Sequence, residues 1–206
     1  AVSFCHGRGV RVHVALNTTV YPHEIRALAG AIGAIAAAGA DALIVQDLGV
    51  AQLARQIAPG LCLHGSTPLS VQGLEGALAL ADRGFSRVIL ARELGREGIS
   101  DITRECPIET EIFVHGALCV CFSGQCYLSV HLNGRSANRG ECIQACRSRY
   151  DLVDRDGKPV KDGGRALAMD KTLLSLKDLN MMEHLKTMAD AGVMSFKIEG
   201  RLKGIS

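Results

Sequence analysis

Five of the eight cysteines in this 206-residue chain fall between Cys119 and Cys146. Four of them form the pattern Cys119-x6-Cys126-x15-Cys142-x3-Cys146, with Cys121 out of step. Glycines at 124, 134 and 140 let the backbone fold tightly around a bound centre. Cysteines buried merely as small apolar groups sit among apolar neighbours, whereas these lie among Ser123, Gln125, Asn133, Arg135, Asn138, Arg139, Glu141 and Arg147. Disulfides belong to oxidising compartments, and in a chain that reads as an intracellular α/β enzyme such a cluster points to metal binding or catalysis. Structural zinc takes close cysteine pairs, a form that only Cys142 and Cys146 approach. An all-thiolate set with one wide and one narrow gap, and no histidine at ligand spacing, suits a 4Fe-4S cluster better. Spacing alone favours iron–sulfur and leaves zinc open.

The surroundings of the cysteines are basic. From His131 to Tyr150 there are four arginines (135, 139, 147, 149) against one acid, Glu141, a patch that suits a phosphate backbone or an ordinary solvated face. The formal charge of +2 for the whole chain is too small to argue for nucleic acid. Peptidase signatures are weak. FSGQC lacks the G-x-S-x-G spacing of a nucleophile elbow, and His23-Glu24 is followed by Ala27 where a zincin needs its second histidine. A cysteine peptidase using Cys121 or Cys126 with His115 stays open, although nothing in the sequence marks one thiol as activated.

The elements that must position these residues read as a parallel α/β fold. Near-continuous apolar runs at 11–17, 41–47, 61–66, 87–93, 111–116 and 195–200 predict strands buried on both faces. Helices are predicted over 22–38, 49–58, 68–83 and 175–191, with Pro22 and Pro68 at first helical positions and Gly39, Gly84 and Gly192 where helices stop. Ser175 with Asp178 reads as a capping pair. Asn17, Gln46, Asp47, His64, Ser66, Arg92, Glu93, His115, Lys197 and Glu199 all fall at or near C-terminal strand ends, the catalytic rim of a β/α barrel. The expectation is a TIM-like (β/α) barrel in a single domain over 1–206. It is partial, lacking its first strands, and carries a cysteine-rich insert over 117–169. Within the insert, DRDGKPVKDGG reads as a surface hairpin or loop. Alternation puts Lys197 and Glu199 on the same side of the last strand, where they could pair with each other. At 48% hydrophobic with no tryptophan the chain can bury one sizeable core. No apolar run reaches the ~18 residues of a membrane helix, so a soluble cytoplasmic protein is expected.

The run EIFVHGALCVCFSGQCYLS, followed by GRSANRGECIQACR, SLKDL and SFKIEGR, resembles the family historically called peptidase U32, the collagenase-like proteases. VALNT, GADALIVQDLGV, LHGST and RVILAREL resemble its earlier barrel strands, so the likeness spans nearly the whole chain. The wording of SLKDLN and SFKIEGRLK is most similar to the branch of iron–sulfur hydroxylases that makes 5-hydroxycytidine in large-subunit ribosomal RNA; a sister branch acts on tRNA uridine. The resemblance implies a 4Fe-4S cluster on Cys119, Cys126, Cys142 and Cys146, RNA as partner, and prephenate rather than oxygen as hydroxyl donor. Such a small anionic co-substrate, with the RNA, would be bound by Arg92, Arg135, Asn138, Arg139 and Arg201. His115, Lys197 and Glu199 are the catalytic candidates, His115 for proton transfer. The alternatives are a collagenase-like peptidase and a non-catalytic iron–sulfur RNA-binding module. Relatives in the family have two further strand–helix units before the equivalent of Ala1 and continue past Ser206, so the chain reads as a fragment. It departs from the family pattern at Pro68, where glutamine is usual, and at Ala145, where proline is usual.

Overall fold

The computed structural model describes residues 1–200. Six parallel strands make the main sheet: β1 His13–Leu16, β2 Ala42–Val45, β3 Cys62–Gly65, β4 Arg87–Ile89 and β5 Glu109–Gly116 lie in chain order. After the two-residue strands β6 Lys161–Asp162 and β7 Arg165–Ala166, β8 Leu179–Asn180 caps the end of β5 in the antiparallel sense, and β9 Ser195–Ile198 pairs β5 in parallel. Helices α1 Val2–His6, α2 Ile25–Ala37, α3 Leu48–Ile57, α4 Leu74–Asp82, α5 Arg96–Glu105, α6 Leu128–Asn133 and α7 Leu185–Asp190 complete the order.

The apolar runs in the sequence are explained by two buried faces. Leu43, Val45, Leu63, Val88, Ile112 and Val114 point to the helices, where they pack with Ile32, Val50, Ala54, Ala77, Leu80, Ile99 and Met188. The alternate residues Ile44, Ile89 and Phe113 meet on the inner face, against Leu179. Both faces of each strand therefore need apolar residues, and a parallel sheet of this kind shows no strict polar alternation. The sheet curls as half a barrel, and on its inner side the His13 ring on β1 meets the His64 ring on β3 edge-to-face at 4.7 Å.

Helix ends follow the residues that mark them. Gly39, Gly84 and Gly192 take positive φ of 77°, 76° and 102° and turn the chain into the next strand. The Asp47 carboxylate accepts from the amides of Gly49 and Val50 and caps α3.

Two expectations are corrected. The helix expected from Pro68 begins only at Leu74, because Thr67–Leu69 is a 3-10 turn closed by Ser70 at φ 57°. The helix expected over 175–191 is confined to a 3-10 turn at Met182–His184 and α7; Leu179–Asn180 is spent on pairing with β5, so Ser175 and Asp178 cap no helix start. Neither α5 nor α1 was legible. In α5 only Ile99 and Ile102 are buried, in an otherwise polar decapeptide. The polar stretch 154–164 contributes to a hairpin, β6 and β7 joined by Gly163 and Gly164 at φ 54° and 85°. No helix among the described residues is long and apolar enough to cross a membrane.

β5 carries a bulge. Its register with β9 runs Phe113 to Lys197 and then His115 to Ile198, so Val114 is the extra residue.

Candidate functional site

The parallel strands bring their C-terminal ends to one rim. Asn17 donates to Ser66 Oγ across it at 2.9 Å. Arg92 lies over the Phe113 ring, its guanidinium carbon 3.9 Å from the centroid, and pairs with Glu199 at 2.8 Å. Here Gly116, at φ 133°, leaves the space that Glu199 occupies: a Cβ on Gly116 would stand 2.7 Å from the Glu199 Cβ.

The cysteine-bearing segment lies across this rim and is tied to it at two places. At β1 and β2, the Asn138 carbonyl accepts from the Thr19 amide and from Gln46 Nε2, both at 3.0 Å. Next to it Arg139 lies over the Tyr21 ring and forks onto Glu24 (2.6 and 3.0 Å), and this fork, with the Tyr21 amide that donates to Glu24 at 2.8 Å, holds the Glu24 carboxyl down at about 2. At β3 and β4, Ser123 is buried, its amide and hydroxyl both bonded to Glu93, while Gly124 rests against the Pro68 carbonyl. Just past β5, where the segment begins, Arg147 donates to the Leu118 carbonyl at 2.8 Å and closes the segment on its own start.

Between these ties the thiols feel one another's charge. Burial pushes the Cys119 thiol up, Arg92 pulls it back, and Cys142, Glu199 and Cys146 push it up again. Burial likewise raises Cys121, followed by a hydrogen bond with Cys126 and the nearby Cys119 and Cys146. Arg92 Nη1 reaches Cys119 Sγ at 4.0 Å, Arg147 Nη1 reaches Cys146 Sγ at 3.5 Å, and the Gln144 amide reaches Cys142 Sγ at 3.4 Å. The buried Ser129 hydroxyl bridges Cys142 Sγ and the Ile143 amide. The thiols form a group of neighbours, while no three His, Cys, Asp or Glu side chains among the described residues stand as a ready-made metal-ligand set.

Below the rim, the inner face holds a charged layer. Arg87, itself buried, donates to Glu109 at 2.8 and 2.5 Å, to Glu111 at 3.0 Å and to Ser195 at 3.2 Å. Glu111 also accepts from Ser195 at 2.8 Å and pairs with Lys197 at 3.2 Å. Its carboxyl is held below the usual range because Lys197, Ser195 and Arg87 outweigh the burial that would raise it. Burial, then Arg87 and His13, pushes His64 down to about 4. Its Nδ1 is buried without a hydrogen-bond partner.

The candidate residues are thus distributed unevenly. Lys197 and Glu199 do not pair with each other: Lys197 joins Glu111 in the lower layer and Glu199 joins Arg92 at the rim. His115 is exposed at the end of β5, and its carbonyl accepts the Glu199 amide. Arg139 and Arg147 are engaged within the chain, and Arg149 pairs with Asp170. Arg135 is exposed and has no bonded partner among the described residues, and Arg201 lies outside them. The Glu24–Arg139 fork and the Ser129 bridge escaped sequence reasoning. So did the Glu93–Ser123 contact, though Glu93 stood among the strand-end residues. Each joins residues far apart in the chain, and only the i,i+3 relation of Tyr21 to Glu24 left a local trace.

Residues 1–206 match the model of peptidase family U32. The chain belongs to that family. It is 44% identical over 205 residues to the 23S rRNA 5-hydroxycytidine C2501 synthase of Escherichia coli, covering 100% of this chain and 30% of that protein. It is 34% identical over 209 residues to the tRNA hydroxylation protein P1 of Bacillus subtilis, covering 99% of this chain and 48% of that one. A collagenase of Porphyromonas gingivalis is 36% identical over 212 residues, 97% of this chain and 49% of that protein. The chain therefore spans less than half the length of each of these relatives. A solved structure, that of the U32 peptidase Mk0906, is similar over 56% of this chain and 50% of that one, at 18% identity and a TM-score of 0.49.

Proposed function

We propose that this U32 chain is the cluster-bearing part of an RNA base hydroxylase, acting on ribosomal cytidine or transfer-RNA uridine. The observation that carries the reading is the gathering of five thiols over the barrel rim, in a chain whose relatives include proteins named for rRNA and tRNA hydroxylation. The donor chemistry fits an iron–sulfur centre. Soft sulfurs are offered together, no imidazole joins them, and basic groups from Arg92 and Arg147 face the sulfurs that would carry negative charge. Cys119, Cys126, Cys142 and Cys146 would hold a 4Fe-4S cluster, which when bound supplies a redox-active and Lewis-acidic iron centre.

The chain's own residues do the rest. Arg92, fixed between Phe113 and Glu199, offers a cationic wall beside Cys119, against which an anionic co-substrate of the prephenate class would be held. Arg135, exposed and unengaged among the described residues, is the arginine of the basic patch most available to an RNA phosphate. His115, exposed at the rim, would take or give a proton through its imidazole. Lys197 would set the charge of the lower layer through Glu111.

The collagenase relative raises a peptidase reading. Against it, no histidine among the described residues bonds a cysteine, and burial raises the Cys119 and Cys121 thiols, the opposite of an activated nucleophile. Nucleoside mass spectrometry of ribosomal and transfer RNA, from cells with and without the full-length gene, tests the proposal. Loss of one hydroxylated nucleoside is expected, and unchanged RNA overturns it.

A further inference from the structure

Resting on that reading of the cysteines, we infer that Glu93 is a positioning residue for the cluster ligands, holding the loop that carries Cys119, Cys121 and Cys126 in register with the rim. Both carboxylate oxygens are used. Oε1 accepts from the Ser123 amide at 2.7 Å and from Gln72 Nε2 at 3.1 Å, and Oε2 accepts from the Ser123 hydroxyl at 2.7 Å. The same hydroxyl accepts from the Arg92 amide at 3.4 Å, so the amide and hydroxyl of the buried Ser123 are both bonded to adjacent residues just beyond β4. One position further on, the loop is pressed against the preceding strand's exit. A Cβ on Gly124 would stand 2.1 Å from the Pro68 carbonyl oxygen, a gap only glycine tolerates.

Position explains why this contact matters to the thiols. Ser123 lies two residues after Cys121 and three before Cys126. An extended chain reaches about 3.3 Å per residue, so a free loop could swing Cys126 through roughly 10 Å. A ligand set requires placement to within about 0.5 Å. Ser123 is the loop's buried point; Cys119, Val120, Phe122 and Gln125 are exposed, so hydrophobic packing does not fix it. The acid therefore does for the thiols what outer-shell partners do for metal-ligating side chains elsewhere. Its use is also geometric economy: one carboxylate ties β4, the Gln72 turn before α4 and the cysteine loop.

The test uses the full-length protein purified without air. Iron and sulfide per chain, and the rate of iron loss to a strong chelator, are measured for wild type, Glu93→Ala, Glu93→Gln and Gly124→Ala. Thermal unfolding of the metal-free forms is followed in parallel. Glu93→Ala and Gly124→Ala are expected to lose iron about 10-fold faster or more, with metal-free melting close to wild type. Glu93→Gln is expected to stay near wild type, since an amide can accept from the Ser123 amide and donate to its hydroxyl. Iron-bearing wild type with an unchanged loss rate in Glu93→Ala overturns the inference alone. An equal drop in metal-free melting overturns it too, by making Glu93 a general scaffold group. Wild type without iron and sulfide overturns the cluster reading and this inference with it.

Discussion

The half-barrel and the cysteine segment are held by different forces. The sheet places Leu43, Val45, Leu63 and Val88 almost wholly out of solvent, and its helices close over them. Between residues 117 and 178 only Ser123, Ser129 and Ala145 are buried. The segment is held by hydrogen bonds and ion pairs to the rim, many of them partly exposed, and each such bond contributes about 1 kcal/mol. Apolar burial, at roughly 25 cal/mol per Å², gives the sheet a stability of its own. The segment needs cross-linking from within, and a metal gripping several cysteines would provide it.

The comparison breaks most completely at the cysteines. Replacing Cys119, Cys126, Cys142 or Cys146 by serine in the full-length protein is expected to lower bound iron from about four per chain, abolish hydroxylation and expose 117–178 to protease, with the sheet's circular dichroism retained. Cys121→Ser is expected to leave iron unchanged. A colourless wild type holding one zinc per chain would sink this prediction.

A converse break lies in the lower layer. Arg87→Met leaves Glu109 and Glu111 without their main partner, and Glu111 is buried. Loss of about 3 to 5 kcal/mol in urea unfolding is expected. Lys197→Met is milder, because Glu111 keeps Arg87 and Ser195. Activity should disappear while melting stays within a few degrees; an unfolded variant would place Lys197 in the scaffold instead.

Acid sharpens the contrast more gently. His64 is held neutral with a folded value of about 4, below its ordinary 6.5, by burial and by Arg87 and His13 against the opposing pull of Glu111 and Glu109. The unfolded chain therefore takes up the proton first, and stability falls as pH drops from about 6.5 toward about 4. The slope is at most about 1.4 kcal/mol per pH unit. His64→Gln should flatten the part of the profile between pH 6.5 and 5; an unchanged profile there refutes the assignment.

The smallest effect is expected at the segment's surface. Arg135→Ala should weaken RNA binding and reduce the salt slope by about one, whereas Arg139→Ala should act through the Glu24 tie, loosening the segment without that change in slope. Equal slopes for wild type and Arg135→Ala would make the residue a solvated face.

These contrasts also explain what could be read from the sequence. The parallel strands were legible because burial on both faces forces runs such as ALIV at 42–45, and the rim was legible because polar residues interrupt those runs at the same end. Helix α5 was not, since two isoleucines in a polar decapeptide give little period. The ties of the segment were invisible for a different reason. Glu93 with Ser123, Glu24 with Arg139 and Gln46 with Asn138 are pairs of ordinary polar residues, brought together only by the sheet's order. Alternation could say only that Lys197 and Glu199 share a side; which acid or base each meets depends on neighbouring strands.

The extra residue in β5 has a consequence for how such chains tolerate insertions and deletions. Because side chains alternate with a period of two, removing any regularly paired residue of β5 would turn the residues after it over, whereas removing Val114, which β9 leaves unopposed, would keep His115 opposite Ile198. Adding several residues to the exposed turn between β6 and β7 disturbs nothing comparable, since the chain there re-enters its course after the loop. Length variation in descendants of this sequence should therefore collect at the hairpin, and within β5 a single-residue gap should be commoner at position 114 than at a regularly paired position.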